Sequence, residues 1–326
     1  MLGVLPEVIA EDCGTAIQRN AGSAPLWVYS ARPADRPEEP ADERFAPFWP
    51  ADFHLIGKDI LTTHSVYWTT LLMALDLPLP RNIFAHGWWQ VEGQKMSKSI
   101  GNVIDPNRLV AEFGVDPLRY FVLRQMPFGQ DGDFAAAALV ERLNSDLAND
   151  IGNLASRVLN LVDKDGGKFA ADAKGTPRTD EVLARLRDTI PVYEERFAAF
   201  AFSTALSALW SVLGDTNKLI QDTEPWKLLK ERDQAPEAGA LYDAVMATAG
   251  AVLKTSAMLL WPVMPERMQR LWESLGESGS LAALRVAGAA GVMPVDAAGT
   301  VSKGHALFPR LDAAKVESFT ERAARQ

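Results

Sequence analysis

The chain has 326 residues, of which 48% are hydrophobic, with a formal net charge of −9 and a single cysteine, Cys13. One thiol excludes a disulfide framework and a thiolate zinc site within this chain. The acidic balance excludes a protein that coats nucleic acid through bulk charge, while leaving room for a local basic face.

The length suits about two domains with real cores. No uninterrupted apolar run of ~18 residues reads as a bilayer span, and the start lacks the basic region of a secretory leader. No membrane partner is expected, and a cytoplasmic location is.

In chain order, residues 1–47 read as irregular. Pro33, Pro37, Pro40, Pro47 and Pro50 are interleaved with Arg, Asp and Glu, a composition that buries little. One short element is expected around residues 26–29. Order begins at Phe48. Residues 52–56 form a short apolar run ending at Gly57, the pattern of a strand in a parallel sheet, and residues 59–75 carry helical spacing. A strand entering a helix through glycine leaves Gly57, Lys58 and Asp59 at the strand's carboxyl end, where open α/β sheets take ligands. Ile60, His64 and Trp68 fall at i, i+4 and i+8, one stripe down the helix. Such a stripe reads first as core, but a buried imidazole in its middle needs a polar partner. Residues 81–87 read as a second strand, which completes one strand–helix–strand crossover.

The following loop contains Lys95-Met96-Ser97-Lys98-Ser99 between Gly93 and Gly101. Two ammonium groups can meet a polyphosphate, the serines can donate to its oxygens, and the glycines let the loop close. The plain alternative is a solvated basic loop. Asp105-Pro106 and Asp116-Pro117 then read as two helix starts separated by Gly114. They form a connector that carries Arg119, Tyr120 and Arg124.

From residue 133 the chain reads as helical to about 275. Asp133 is expected to cap a long helix with Leu139, Leu143, Leu147, Ile151, Leu154, Val158 and Leu161 at bundle spacing. Asn149, Asn153, Arg157 and Asn160 line another face of it. A second helix is expected from residue 179 towards 220, kinked at Pro191. Thr223-Glu224-Pro225-Trp226 restarts the chain, and further helices are expected over 241–261 and 266–275. Residues 276–326, rich in Ala and Gly, read as a loosely packed tail.

Lys95-Met96-Ser97-Lys98-Ser99 is the KMSKS motif of class I aminoacyl-tRNA synthetases, and its surroundings resemble methionyl-tRNA synthetase. Phe53-His54-Leu55-Ile56-Gly57-Lys58-Asp59-Ile60, with His64 and Trp68, resembles that family's block beside the methionine pocket. Ala85-His86-Gly87-Trp88 resembles its approach to the clamp. Leucyl, isoleucyl, valyl and cysteinyl relatives share the clamp but carry other residues in the earlier block, so the amino-acid assignment rests on residues 53–68. Asn153-Leu154-Ala155-Ser156-Arg157 and Glu224-Pro225-Trp226 resemble anticodon-reading positions, and Leu307-Phe308-Pro309-Arg310 extends the likeness.

The resemblance implies an α/β fold over residues 48–132, a partial Rossmann-like half carrying the clamp loop, then an all-α anticodon-binding bundle over 133–275. It implies that Ile60, His64 and Trp68 line a methionine pocket, and that Gly57 and Asp59 contact the adenosine ribose with Lys58 nearby. Lys95, Ser97, Lys98 and Ser99 would hold the triphosphate; Asn153, Arg157 and Trp226 would meet the anticodon. ATP with its Mg²⁺, methionine and methionine-specific tRNA are the implied substrates and partners. Activation would need no general base, because the attacking carboxylate is already a nucleophile.

Two of the family's features are missing from these residues: no His-x-Gly-His occurs, and there is no zinc-knuckle insertion. Segment 31–47 stands where the family has a strand and helix with a further pocket tryptophan. The expectation is a methionine-tRNA ligase chain cut or frame-shifted upstream, lacking an N-terminal complement and inactive alone. A non-catalytic tRNA-binding helical module and a non-functional gene fragment are the alternatives.

Overall fold

The computed structural model describes residues 49–91, 93–97, 102–284, 291–304 and 306–311. The irregular segment and the short element expected before residue 48 lie outside the described residues. The chain divides after Trp88 into two compact units.

In the first unit, β1 (His54–Gly57) and β2 (Ile83–His86) pair in parallel, with His54 opposite Ile83 and Gly57 opposite His86. Between them run a 3₁₀ turn (Lys58–Ile60), a π-helical stretch (Thr63–Trp68) and α1 (Thr69–Ala74). The expected strand–helix–strand unit is present, but the turns that carry His64 and Trp68 are wider than α. Side chains take carbonyls along this stretch. His64 Nδ1 lies 2.9 Å from the Ile60 carbonyl oxygen, Ser65 Oγ donates to Leu61 O at 2.7 Å, and Thr69 Oγ1 donates to Ser65 O at 2.6 Å. Side-chain donors that compete for backbone carbonyls accompany such distortions. Along β1, His54 and Ile56 are buried while Leu55 stays 55% exposed, and Phe53, just before the strand, 48%.

The second unit opens with a small sheet that the sequence did not reveal. β3 (Trp89–Val91) pairs antiparallel with β4 (Gln94–Lys95) and parallel with β5 (Gly132–Asp133). Strands of two or three residues are too short to show a period of two. Asp133, expected to cap a helix, belongs to β5. Its Oδ1 accepts from Gly93 N at 3.2 Å in the β3–β4 turn, where Gly93 takes φ 72°. Glycine adopts that conformation without steric cost. α2 (Pro106–Phe113) starts as expected, with Asp105 accepting from Asn107 N at 2.8 Å, and ends at Gly114. α3 (Val115–Gln125) follows directly.

The bundle consists of α4 (Ala136–Arg142), a π-helical stretch (Leu143–Gly152), α5 (Asn153–Lys164), α6 (Pro177–Ala198), α7 (Phe202–Thr223), α8 (Pro225–Glu231), α9 (Pro236–Leu260) and α10 (Pro265–Ser274). α9 is its axis and packs against α5, α6, α7, α8 and α10. From 248 to 260 every residue of α9 is buried. By length and composition this helix is apolar enough to cross a membrane, with mean hydropathy 1.3, although Lys254 interrupts its apolar run. With 89% of that window buried, it is the core helix of the bundle.

The kinked helix expected over 179–220 is two helices. Pro191 sits inside α6 without ending it. The break falls at 199–201, where Phe200 adopts φ 61°. Phe202 packs edge-on against Phe197 at 4.8 Å and against Phe200 at 5.7 Å. The turn is thus held by aromatic contacts rather than by a breaker residue, which is why local signals missed it.

Asp116, read as the cap of its own helix, is buried and serves another one. Its Oδ2 accepts from Arg267 N at 2.7 Å in the first turn of α10. Arg119 donates from Nε to Val263 O at 2.8 Å and from Nη2 to Pro262 O at 2.7 Å. Tyr120 is fully buried and packs on Trp210 at 4.7 Å. The connector therefore packs into the bundle core.

The described parts of the tail are stitched down rather than loose. Val301 and Phe308 are buried, and Val301 N donates to Gly167 O at 2.8 Å. The Asn144 amide exchanges two hydrogen bonds with the backbone of Leu311, at 3.0 and 2.8 Å.

Candidate functional site

In the first unit, Gly57, Lys58 and Asp59 stand at the carboxyl end of β1, as that strand's pattern implied. A Cβ on Gly57 would come within 2.5 Å of Asp59 Oδ1. The Asp59 carboxylate folds back over the bare Cα, and any side chain there would have to turn it aside. Asp59 Oδ1 accepts from Trp88 Nε1 at 3.5 Å, and Lys58 Nζ lies 4.5 Å above the Trp88 ring. Trp88 thus joins this group as a residue whose role the sequence had not singled out.

His64 is buried and Trp68 half-buried, with Ile60 one turn before them. A carbonyl oxygen only accepts, so the contact with Ile60 O places the His64 proton on Nδ1 and leaves Nε2 an acceptor in the neutral ring. The stripe is completed by two residues from outside the helix, Trp49 and His54. His54 lies 6.1 Å from His64 and 6.4 Å from Trp68 between ring centroids; Trp49 lies 6.0 Å from His54 and 6.1 Å from Trp68. Burial first, and the nearby His64 second, lower the His54 pKa from its ordinary 6.5. Its ring is therefore uncharged at neutral pH. His54 Nε2 and Trp68 Nε1 are buried with no hydrogen-bond partner among the described residues. Both atoms can accept or donate one further hydrogen bond, to a water or to a ligand.

In the second unit, Lys95 ends β4 and Ser97 follows it. Asn102 closes this loop: its Oδ1 accepts from Ser97 N at 2.7 Å and its Nδ2 donates to Lys95 O at 3.3 Å. Lys98 and Ser99 lie outside the described residues. The base of the loop is anchored where Trp89 on β3 stacks on Phe121 at 5.9 Å and meets Phe134 edge-on at 6.4 Å. Asn102 is the residue sequence reasoning passed over, although it adjoins the motif. Among the described residues no group of three or more His, Cys, Asp or Glu comes together as metal ligands.

Asn153 and Arg157 lie one turn apart on α5, both half-buried, while Leu154, Ala155, Val158 and Leu159 on the other side enter the core. Neither Asn153 nor Arg157 has a side-chain partner among the described residues. Trp226, on α8, is 38% exposed. α8 packs against α5, so the three residues stand on neighbouring helices.

Two family models divide the chain: residues 29–159 match class I tRNA synthetases (M), and residues 170–326 match the anticodon-binding domain of methionyl tRNA ligase. A strand–helix–strand unit and a lysine–serine loop ahead of a helical bundle are the build of the class I aminoacyl-tRNA synthetase family. It is 41% identical over 272 residues to the methionine–tRNA ligase of Halalkalibacterium halodurans, matching 83% of this chain and 40% of that enzyme. It is 44% identical over 244 residues to that of Mycobacterium bovis, matching 72% of this chain and 45% of the enzyme. Mycobacterium tuberculosis methionyl-tRNA synthetase in complex with methionyl-adenylate superposes with a TM-score of 0.76 at 38% identity, covering 86% of this chain and 53% of that one. The chain belongs to the methionyl-tRNA synthetase family. It spans less than half the length of these curated relatives.

Proposed function

We propose that the chain carries part of the machinery of a methionine-tRNA ligase, which activates methionine with ATP and transfers it to tRNA. The observation that carries this reading is the aromatic cluster of the first unit. An apolar, ring-lined site suits a thioether, which contacts aromatic rings favourably. The orphaned Trp68 Nε1 and His54 Nε2 are polar groups left for the ligand's own polar atoms. Size alone separates amino acids by only about 1–3 kcal/mol per methylene, so polar contacts of this kind contribute to selection.

Ile60, His64 and Trp68 would line the methionine side chain, with Trp49 and His54 beside them. Gly57 and Asp59 would take the adenosine ribose, and Lys58 would stand by it. Lys95, Ser97, Lys98 and Ser99 would hold the phosphates of ATP. Mg²⁺ would arrive largely on those phosphates, as it does where few carboxylates are present. The substrate carboxylate attacks the α-phosphorus and pyrophosphate leaves, so these residues position the reactants and neutralise charge rather than move a proton. Trp226 would stack on an anticodon base while Asn153 and Arg157 bond to base edges. A cytoplasmic setting and an N-terminal complement belong to the same proposal.

Two assays on the purified chain test it. The full chain should bind methionine-specific tRNA yet show no methionine-dependent pyrophosphate exchange by itself. Exchange above background would mean that these residues suffice for activation. Absence of tRNA binding would remove the reading altogether.

A further inference from the structure

α8 is a short helix that lies against α9 and α5. It has seven residues, of which only Pro225 is buried, and it is entered through Glu224 in a left-handed conformation with φ 46° and ψ 55°. Leu228 and Leu229 are only partly buried against the core. Yet α8 carries Trp226, whose use as a stacking plane depends on where the helix stands. Its far end is secured differently. Arg232, the residue after α8, donates from Nη1 to Asp165 Oδ2 at 2.7 Å and to Asp243 Oδ1 at 2.7 Å, and from Nη2 to Asp243 Oδ2 at 3.3 Å.

Asp165 immediately follows α5, and Asp243 sits on α9. One guanidinium therefore joins the ends of α5 and α8 to the axial helix of the bundle. The arrangement is built closely. Arg232 lies over the Tyr242 ring at 5.5 Å, and a Cβ on Gly239 would come within 3.1 Å of Arg232 Cγ. Both carboxylates are largely shielded, 20% and 22% exposed. A planar fork that grips one carboxylate with two nitrogens and still reaches a second is a task for arginine and not for lysine.

We propose that Arg232 is a positioning residue for anticodon recognition. Its pairing with Asp165 and Asp243 fixes α8, and with it the Trp226 ring, beside the Asn153 and Arg157 face of α5. The inference rests on the anticodon reading above. Arg232 follows Trp226 by six residues, ~9 Å along a helix, and acts through α8 rather than by touching RNA. A binding surface held loosely by its support loses discrimination before it loses fold.

The test uses the full chain and two RNA hairpins, one with the methionine anticodon and one with an altered anticodon, at fixed salt. Arg232→Met should reduce the preference between the hairpins by about fivefold or more, the scale of a lost base–aromatic contact. Adding Trp226→Ala to Arg232→Met should lower it little further, because both changes remove the same interaction. Arg232→Lys should recover part of the preference.

Asp243→Asn tests the same clasp from the opposite side and is read if Arg232→Met does not fold. A variant that melts earlier or binds both hairpins more weakly at the parent's preference overturns the proposal in favour of a purely structural pair. A parent chain with no anticodon preference would bring down the anticodon reading itself. A preference kept through Arg232→Met and Asp243→Asn would bring down this inference alone.

Discussion

Asp146 shows how much one carboxylate in the bundle can hold. Its Oδ2 accepts from Tyr120 OH at 2.6 Å and from Arg142 Nη1 at 3.2 Å, with Arg124 Nε 3.8 Å away, and its Oδ1 accepts from Ser145 Oγ at 2.9 Å. Burial first, then the charge of Asp146, pushes the Tyr120 hydroxyl well above its ordinary 10.0. Asp146→Ala would strand the Tyr120 hydroxyl and leave two guanidinium groups without their carboxylate. We expect a loss of about 3 kcal/mol in urea unfolding, the scale of a broken buried pair. Asp150, one turn on, is in the opposite situation. Desolvation, then repulsion from Asp146, raises its pKa above the ordinary 3.8. The folded state therefore holds that proton more tightly than the unfolded one. Its contribution is fullest below pH 3.8 and is lost as pH rises through the folded value. Asp150→Asn should raise the melting temperature at pH 7, with the gain fading towards pH 4; a gain independent of pH would point to packing instead. Trp226, exposed at the surface, should behave as neither of these. Trp226→Ala should weaken tRNA binding by roughly 1–3 kcal/mol with the melting temperature unchanged. A collapse of the fold would make the ring a core residue.

Among the elements, α9 decides the most, and its one buried charge is fully used. Lys254 Nζ pairs with Glu277 Oε1 at 2.7 Å, donates to Pro294 O at 2.8 Å and lies 5.2 Å from the Trp272 ring. Both side chains are 8% exposed. This pair fastens the segment after α10 to the middle of the core helix. One turn earlier, Gly250 lets that segment approach, since a Cβ there would meet Phe169 and Val295 at 2.7 Å. Lys254→Met should destabilise the bundle by roughly 3 kcal/mol by leaving Glu277 buried alone. The double change Lys254→Met with Glu277→Gln should recover much of that loss. Additive losses in a double-mutant cycle would deny the coupling.

At the scale of the molecule, the two units differ in how much they bury. The buried side chains described in the first unit are His54, Ile56, His64 and Leu72, while Leu55, Tyr67 and Met73 are exposed at 55%, 68% and 67%. The second unit holds a continuous core running from Leu109 to Phe308. Regions with few buried apolar contacts open at lower free energy. Limited proteolysis should therefore cut the first unit early and leave a resistant fragment beginning close to Trp89. Mass spectrometry of that fragment checks the boundary; resistance that begins near residue 133 would restore the division drawn from the sequence.

The sequence by itself determined whatever depends on neighbours along the chain. β1, its glycine turn and β2 were legible because a short apolar run ending in glycine and then a helical period are local patterns. The start of α2 was legible from Asp105-Pro106, and the basic loop from five adjacent residues. Tertiary structure decided where side chains find distant partners. Asp116 and Asp133 each looked like a helix cap, yet one serves a helix 151 residues away and the other a turn 40 residues away. The α6–α7 break rests on phenylalanines packing around 199–201, and the pitch at His64 on side chains competing for carbonyls. Trp49 and His54 joined the Ile60, His64 and Trp68 stripe only when strand and helix came together. The Arg232 clasp joins three segments, the farthest 67 residues away. A carboxylate, a guanidinium or a ring is free to satisfy itself with any partner that folding brings within reach, and local spacing does not encode which one arrives.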